Sequence, residues 1–242
     1  MANFRKLFIG SVFILAMCGT PLGAQEPDEI HAYQQAVKDR SILYRGEQFL
    51  PLTFRANGNQ YWENDTFKKG DITFEGNLYR DVLINVDANA QRVLVQLPSN
   101  PFAVTLAPEL VSSFTMGGRR FEGVGPDGIL PEGIYEIIGE GPERVYKRVD
   151  KPVLTSTNYV NGDPIGYNDK NYRSDTHVYF AMKRSYFFRD AEGRFTRLKG
   201  KRALLRHFPE RRAELRKAVK NTGLKWKDFD ACCELVLKLT SR

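Results

Sequence analysis

Three histidines, two adjacent cysteines and a scatter of carboxylates are the groups in this chain with reactive potential. His31, His177 and His207 lie far apart, and no two share the i, i+4 spacing that puts a metal-binding pair on one helical face. Each reads as an exposed or structurally satisfied side chain. Cys232 and Cys233 are neighbours, and a disulfide between neighbours strains the peptide that joins them. No further zinc ligands stand nearby. Both fall well inside a predicted helix, away from the N-terminal dipole that lowers a thiol pKa, so they read as small helix residues with at least one buried. Ser112 and Ser113 have no marked base, and no nucleophile elbow, P-loop or dinucleotide fingerprint occurs. Gly117-Gly118 and the glycines from Gly123 to Gly133 read as β-turns. Glu132, Glu136 and Glu140 lie in a turn-rich region and are candidate acids in a weak sense, since the sequence does not select them over other carboxylates. No residue is therefore assigned as catalytic, cofactor-binding or metal-ligating, and no cofactor is called for.

The segment from Thr155 to Asp175 is the most suggestive for binding. It interleaves Asn158, Asn161, Asp163, Asn168, Asp169, Asn171 and Asp175 with Tyr159, Tyr167 and Tyr172. It reads as a long polar loop, and long loops in compact domains are functional or mobile. Its oxygens could ligate calcium and its tyrosines could stack on sugars. Asp169-Lys170-Asn171 begins like a calcium loop, but Arg173 and Ser174 occupy positions that need Asp or Asn and then Gly.

The elements that would position these groups are mostly strands. Apolar residues alternate with polar ones in Asp71–Phe74, Leu78–Val86 and Arg92–Leu97, the period of half-buried β-structure. Ile42–Tyr44, Phe49–Phe54, Gln60–Trp62, Phe102–Leu106 and Arg119–Val124 read as further strands. Glu29–Lys38 reads as a short helix or loose leader. Gly139–Glu143 marks a hairpin between Gly133–Ile138 and Arg144–Val149, and Asp190–Gly193 marks another between Val178–Phe188 and Arg194–Leu198. The period then changes. Leu204, Leu205 and Phe208 suit one short helix, with Pro209 before the next. Leu215, Ala218 and Val219 share a face of that next helix, and Gly223 is placed to end it in a left-handed conformation. Asp228 can cap a last helix whose buried face carries Phe229, Cys232, Cys233, Val236 and Leu239. The expected fold class is α+β: a mainly antiparallel β-body over residues 25–200, with a short basic helical hairpin over 201–242.

The charge layout is asymmetric. Residues 183–242 carry 18 basic and 7 acidic side chains, a net +11, while residues 25–182 carry a net −6. Such a surface fits an anionic partner, or a tail that docks on its own acidic body. Arg211, Arg212, Arg216, Lys217 and Lys220 read as spread around their helix, interrupted by Glu210 and Glu214, and no nucleic-acid-binding grammar is visible.

The first 24 residues read as a cleavable export signal. Arg5 and Lys6 precede an apolar run from Leu7 to Met17, too short to span a bilayer, and Pro21, Gly23 and Ala24 follow. Leu15-Ala16-Met17-Cys18 offers the alternative of lipoprotein anchoring at Cys18, although Met17 stands where that signal needs a small residue. No other stretch is apolar enough to be a transmembrane segment, so the mature chain is expected in the periplasm or secreted.

Two stretches carry a resemblance. One runs from Trp62 through Gly70-Asp71-Ile72-Thr73-Phe74-Glu75-Gly76-Asn77-Leu78-Tyr79. The other runs from Tyr186-Phe187-Phe188-Arg189-Asp190-Ala191-Glu192-Gly193-Arg194-Phe195 through Leu204-Leu205-Arg206-His207-Phe208-Pro209-Glu210-Arg211-Arg212 to Leu224-Lys225-Trp226. Together they resemble a family of exported β-rich proteins of unknown function from Bacteroidetes bacteria. The resemblance implies compartment and fold; it transfers no activity. The expected function is a non-enzymatic binding module of the cell envelope, with an envelope protein or an anionic polymer as partner and no nucleic acid. The alternative is an extracytoplasmic hydrolase using paired carboxylates, which requires two acids roughly 5–10 Å apart in a cleft.

Overall fold

The computed structural model describes residues 27–52, 56–159 and 174–241. The export signal therefore lies outside the described residues, as do positions 160–173 of the polar segment. The fold class is the expected one: an antiparallel sheet of eleven strands with a C-terminal helix pair.

The elements in chain order are α1 (Pro27–Val37), β1 (Glu47–Gln48), β2 (Lys68–Phe74), β3 (Asn77–Asp87), β4 (Arg92–Gln96), β5 (Ala103–Leu106), β6 (Val111–Met116), β7 (Arg119–Val124), β8 (Gly133–Ile138), β9 (Arg144–Asp150), β10 (Val153–Tyr159), β11 (Ser174–Phe180), β12 (Lys183–Arg189), β13 (Phe195–Leu198), α2 (Lys201–Leu204), α3 (Arg212–Asn221) and α4 (Phe229–Thr240). The large sheet runs β1-β5-β4-β3-β2-β6-β7-β8-β9-β12-β13, and β10 pairs only with β11.

The sheet curls until distant strands meet. The turn after β3 hydrogen-bonds to the start of β8 and the end of β9. Gln91 donates to the Val149 carbonyl at 2.8 Å and accepts from the Ile134 amide at 3.2 Å. The Lys151 amide donates to Ala88 at 3.0 Å. The result is a partly closed barrel around a core that includes Ile72, Ile84, Val86, Val93, Phe114, Phe121, Ile134 and Val149. Close packing fixes one glycine here: a Cβ on Gly70 would sit 1.7 Å from the Thr115 carbonyl oxygen across the β2–β6 pair.

A second core continues along the same face of β8 and β9. Ile138, Val145, Phe188 and Leu198 pack against Leu204, Leu205, Phe208, Leu215, Val219, Cys232, Cys233, Val236 and Leu237 of the helical segment. The opposite face of these strands carries Leu130, Tyr135, Ile137 and Tyr146, flanked by Phe187 and Phe195. Strand β8 is thus buried along its whole length.

Five expectations are corrected. Ile42–Tyr44 is a 3-10 turn, because the Ser41 hydroxyl accepts from the Leu43 amide and turns the chain. Phe49–Phe54 and Gln60–Trp62 form no strands among the described residues. β1 ends at Gln48, and Tyr61 makes a single bridge to Asp87. Thr155–Tyr159 and Ser174–Asp175 lie in the β10–β11 ribbon rather than a loop. That ribbon stands outside the large sheet, so it never needed the apolar alternation that marks the others. Finally, Val178–Phe188 is two strands, divided at Ala181, whose amide turns to the Pro152 carbonyl. In the helical segment, Asp228 caps α4 and Gly223 ends α3 at φ 73°, as expected.

Candidate functional site

The register of the sheet lines up one row of side chains on the core face. Cross-strand partners place Ile72, Phe114, Phe121, Glu136, Lys147, Tyr186 and Leu198 side by side from β2 to β13. The centre of this row is charged and its ends are apolar. Glu136 and Lys147 occupy the seam between the two cores, with Ile134 and Val149 on one side and Ile138 and Val145 on the other. Both are buried, at 7% and 5% exposure.

Burying charge is costly unless each charge meets a partner. Here partners run in alternating sign from the surface inward. Lys68 meets Glu63 at 2.5 Å, and Glu63 meets Arg119. Arg119 lies 3.7 Å from Glu136, and Glu136 accepts from Lys147 at 2.8 Å. Lys147 also donates to Asp230 on α4 at 2.6 Å, and the Tyr186 hydroxyl donates to Asp230 at 2.7 Å. The Lys147 ammonium sits 5.8 Å from the centre of the Trp62 ring, whose edge packs on Phe121. Lys68 and Arg119 together hold the Glu63 carboxyl below its usual range, with the Lys68 hydrogen bond the largest cause. The ladder ties β2, β7, β8 and β9 to the last helix. Sequence reasoning missed it, because each member is an ordinary polar position on its own strand.

Of the three candidate acids, Glu136 and Glu140 line one cavity and Glu132 stands apart. Glu132 precedes β8 and pairs with Arg92 at 3.1 Å, while Glu140 follows β8. A strand of that length separates them by roughly 20 Å. A cavity of about 500 Å³ opens beside α4 and the ends of β7 and β8, lined in part by Arg119, Glu136, Glu140, Glu143, Glu234 and Lys238. Glu136 in it is committed to Lys147 and Arg119. Burial, then Glu192 and Asp190, push the Glu143 carboxyl up.

Cys232 and Cys233 are free, buried thiols on α4. Burial pushes both up, Cys233 strongly. A thiol held protonated is a poor nucleophile. His207 is half-buried, its ring 4.2 Å from that of Phe188, and burial lowers its pKa. The side chains of His31 and His177 lie outside the described residues. Among the described residues, no three His, Cys, Asp or Glu groups gather as metal ligands, and no helix is long and apolar enough to cross a membrane.

The helical segment uses few of its positive charges to dock. Twelve basic residues lie between Arg197 and Lys227. Among the described residues, only Arg211 of these makes an ion pair, with Glu214 of its own segment at 2.8 Å. Among the described residues, the one ion pair between the helical segment and the sheet has the opposite polarity: the acid, Asp230, comes from the tail and the base, Lys147, from the body. Beyond that pair and the Tyr186–Asp230 hydrogen bond, the segment attaches through the second apolar core. The basic side chains of α3 are also less dispersed than the sequence reading has them. The helix begins at Arg212, and at about 100° per residue Arg212, Arg216, Lys217 and Lys220 fall within an arc of about 140°. Leu215 and Val219 face the core, and Glu214 lies outside the arc.

Three phenols make the fold alkali-sensitive. Burial and then Asp230 raise the Tyr186 pKa; burial and Asp39 push Tyr44 up to about 12; burial and Glu122 push Tyr146 up to about 12. The folded chain keeps protons that the unfolded chain loses near its ordinary tyrosine pKa of about 10. Their contribution is full below that pH and is lost as pH rises from there through about 12. Thermal melts should show a falling Tm above about pH 10, and Tyr186→Phe should make that fall shallower. An unchanged slope in the variant would remove Tyr186 from this account.

No protein-family model, no curated protein and no solved structure matches this chain.

Proposed function

We propose that this chain is an exported, non-enzymatic binding module of the bacterial cell envelope, and that its C-terminal helical face holds an anionic polymer. The observation that carries this reading is the set of basic residues from Arg197 to Lys227, nearly all left without acidic partners while the segment docks through apolar contacts. A tail that served only to dock on an acidic body would spend its charges on that body. The leader-like N-terminus and the resemblance to exported Bacteroidetes proteins support the compartment.

The hydrolase alternative has the cavity beside α4 and one carboxyl, Glu143, with a raised pKa. It is the weaker reading, because Glu136, the buried acid of that cavity, is held by a lysine and an arginine.

The test is retention on immobilised heparin, an acidic polysaccharide probe. The mature chain should bind at low salt and elute as salt rises, since screening shortens from about 8 Å at physiological ionic strength to about 3 Å at 1 M. The variant Arg212→Gln/Arg216→Gln/Lys217→Gln/Lys220→Gln keeps helix-forming side chains and leaves the core untouched. It should bind at least about tenfold more weakly, a loss of about 1.4 kcal/mol. Equal retention of parent and variant would sink the proposal for this face.

A further inference from the structure

Lys147 is where the charged ladder meets the last helix, and its ammonium is held between two carboxylates. Asp230 Oδ2 lies 2.6 Å from Nζ, and Glu136 Oε2 lies 2.8 Å away. Both Lys147 and Glu136 are buried. The Trp62 ring sits beside the ammonium, and the Phe229 ring packs edge-on against Tyr186 at 4.9 Å. Lys68 also meets a carboxylate, at 2.5 Å, but its side chain is 33% exposed and water solvates its charge. Lys147 is shielded from such solvation.

An ion pair withdrawn from water is held at a cost in desolvation. Joining the amine to the carboxyl as an amide discharges both groups and keeps their hydrogen bonds. The product N–H faces Glu136, and the product carbonyl oxygen faces the Tyr186 hydroxyl.

The parts that this condensation needs are in place. Lysine becomes a nucleophile once it has given up a proton, and Asp230 Oδ2 stands at hydrogen-bond distance to take it. That transfer makes Oδ2 the hydroxyl of a neutral carboxyl group. Nζ then attacks Cγ, one bond from the oxygen it already touches. Charge that develops on Oδ1 meets the Tyr186 hydroxyl, which donates to that atom at 2.7 Å. Glu136 takes a second proton from Nζ and returns it to Oδ2 as the Cγ–Oδ2 bond breaks and water leaves. Of the three ammonium protons, one stays on the amide nitrogen and two depart in the water, and Glu136 is a carboxylate again. Nothing is oxidised or reduced. The Asp230 side chain is 39% exposed, which gives the water a way out.

We propose that Lys147 and Asp230 join in an isopeptide bond, with Glu136 as the catalytic acid and base. The ion pair of the ladder is its reactant, so a chain without Lys147 lacks both. The bond fastens α4 to β9 and closes the chain between positions 147 and 230, which restricts the unfolded state as a disulfide of that span does. It does not rest on the polyanion reading, since none of these residues lies on the basic arc.

The test is mass spectrometry of the folded, purified mature chain, weighed whole after denaturation and then digested with trypsin. The parent should be one water lighter than its sequence. Its digest should hold a branched peptide in which Val145–Arg148, uncut after the blocked Lys147, is joined to Asp228–Lys238. The digest locates the loss, because a succinimide at Asp127-Gly128 would also cost one water. Glu136→Gln and Asp230→Ala should both keep their full mass and yield no branched peptide. Asp230→Ala changes a half-exposed position, so it supplies a folded, unlinked chain, and the parent digest stands even where Glu136→Gln fails to fold. The proposal is overturned if the parent yields no branched peptide, if the branch joins other residues, or if Glu136→Gln forms the bond as completely as the parent.

Discussion

Replacing Lys147 by methionine should destabilise the protein by about 3 kcal/mol, the low end of the usual cost of breaking a buried ion pair, because Glu136 keeps Arg119 at 3.7 Å. The residue is 5% exposed, and among the described residues its ammonium is the only cation within hydrogen-bonding distance of the buried Glu136 carboxylate. Methionine fills similar space, so a packing defect does not explain the loss. Against a total stability of about 5–15 kcal/mol for a folded domain, the effect is large. A denaturant melt should show a lower midpoint with an unchanged slope. The double variant Glu136→Gln/Lys147→Met should lose less than Lys147→Met alone, because the buried carboxylate left with Arg119 as its partner is gone. Asp230 adds little to the deficit, since its side chain is 39% exposed and can be hydrated. If the single variant matched the parent within about 0.5 kcal/mol, the ladder would not be what joins the two cores.

Ending the chain after Gly200 should abolish cooperative folding, whereas the four-glutamine variant of α3 should melt like the parent. The truncation strips the cover from Ile138, Val145, Phe188 and Leu198 and removes nine buried side chains from Leu204 to Leu237. Each such side chain is worth about 1.5–3 kcal/mol of burial, so the loss exceeds the stability of an ordinary domain even after ordering entropy is subtracted. It also removes Asp230 from Lys147. Truncated protein should bind a hydrophobic dye and show no sharp thermal transition. A sharp transition near the parent Tm would mean that the helices are an appendage. The two variants separate the segment's two roles, since one removes its core and the other only its charges.

Much of this fold is legible from local signals. The hairpin turns at Asp87–Gln91, Gly139–Glu143 and Asp190–Gly193 declare themselves through turn residues between alternating runs, and Gly223 and Asp228 mark helix ends. The misreadings share a cause. Ile42–Tyr44 has the composition of a strand, but a single serine hydroxyl decides its conformation. The β10–β11 ribbon has the composition of a loop over Thr155–Asn158 and Ser174–His177, which are polar because the ribbon lies outside the large sheet. The candidate site was less legible. Glu136 and Lys147 become a pair only through the β8–β9 register, and Asp230 joins them from 83 positions away. The basic arc on α3 depends on where the helix starts.

The clasp formed by Gln91 has a consequence for how this chain is made. A chain that emerges N-terminus first offers the Gln91 amide long before Val149, 58 positions later, exists to receive it. Strands β2 to β7 must wait as an open, edge-bearing sheet, and the Lys147 ammonium waits longer still for Asp230. Assembly governed by such distant contacts is slow, and the waiting intermediate is open to aggregation. Until Ile134 to Lys151 have arrived the clasp has nothing to close on, so the order of synthesis itself acts as the timer for closure.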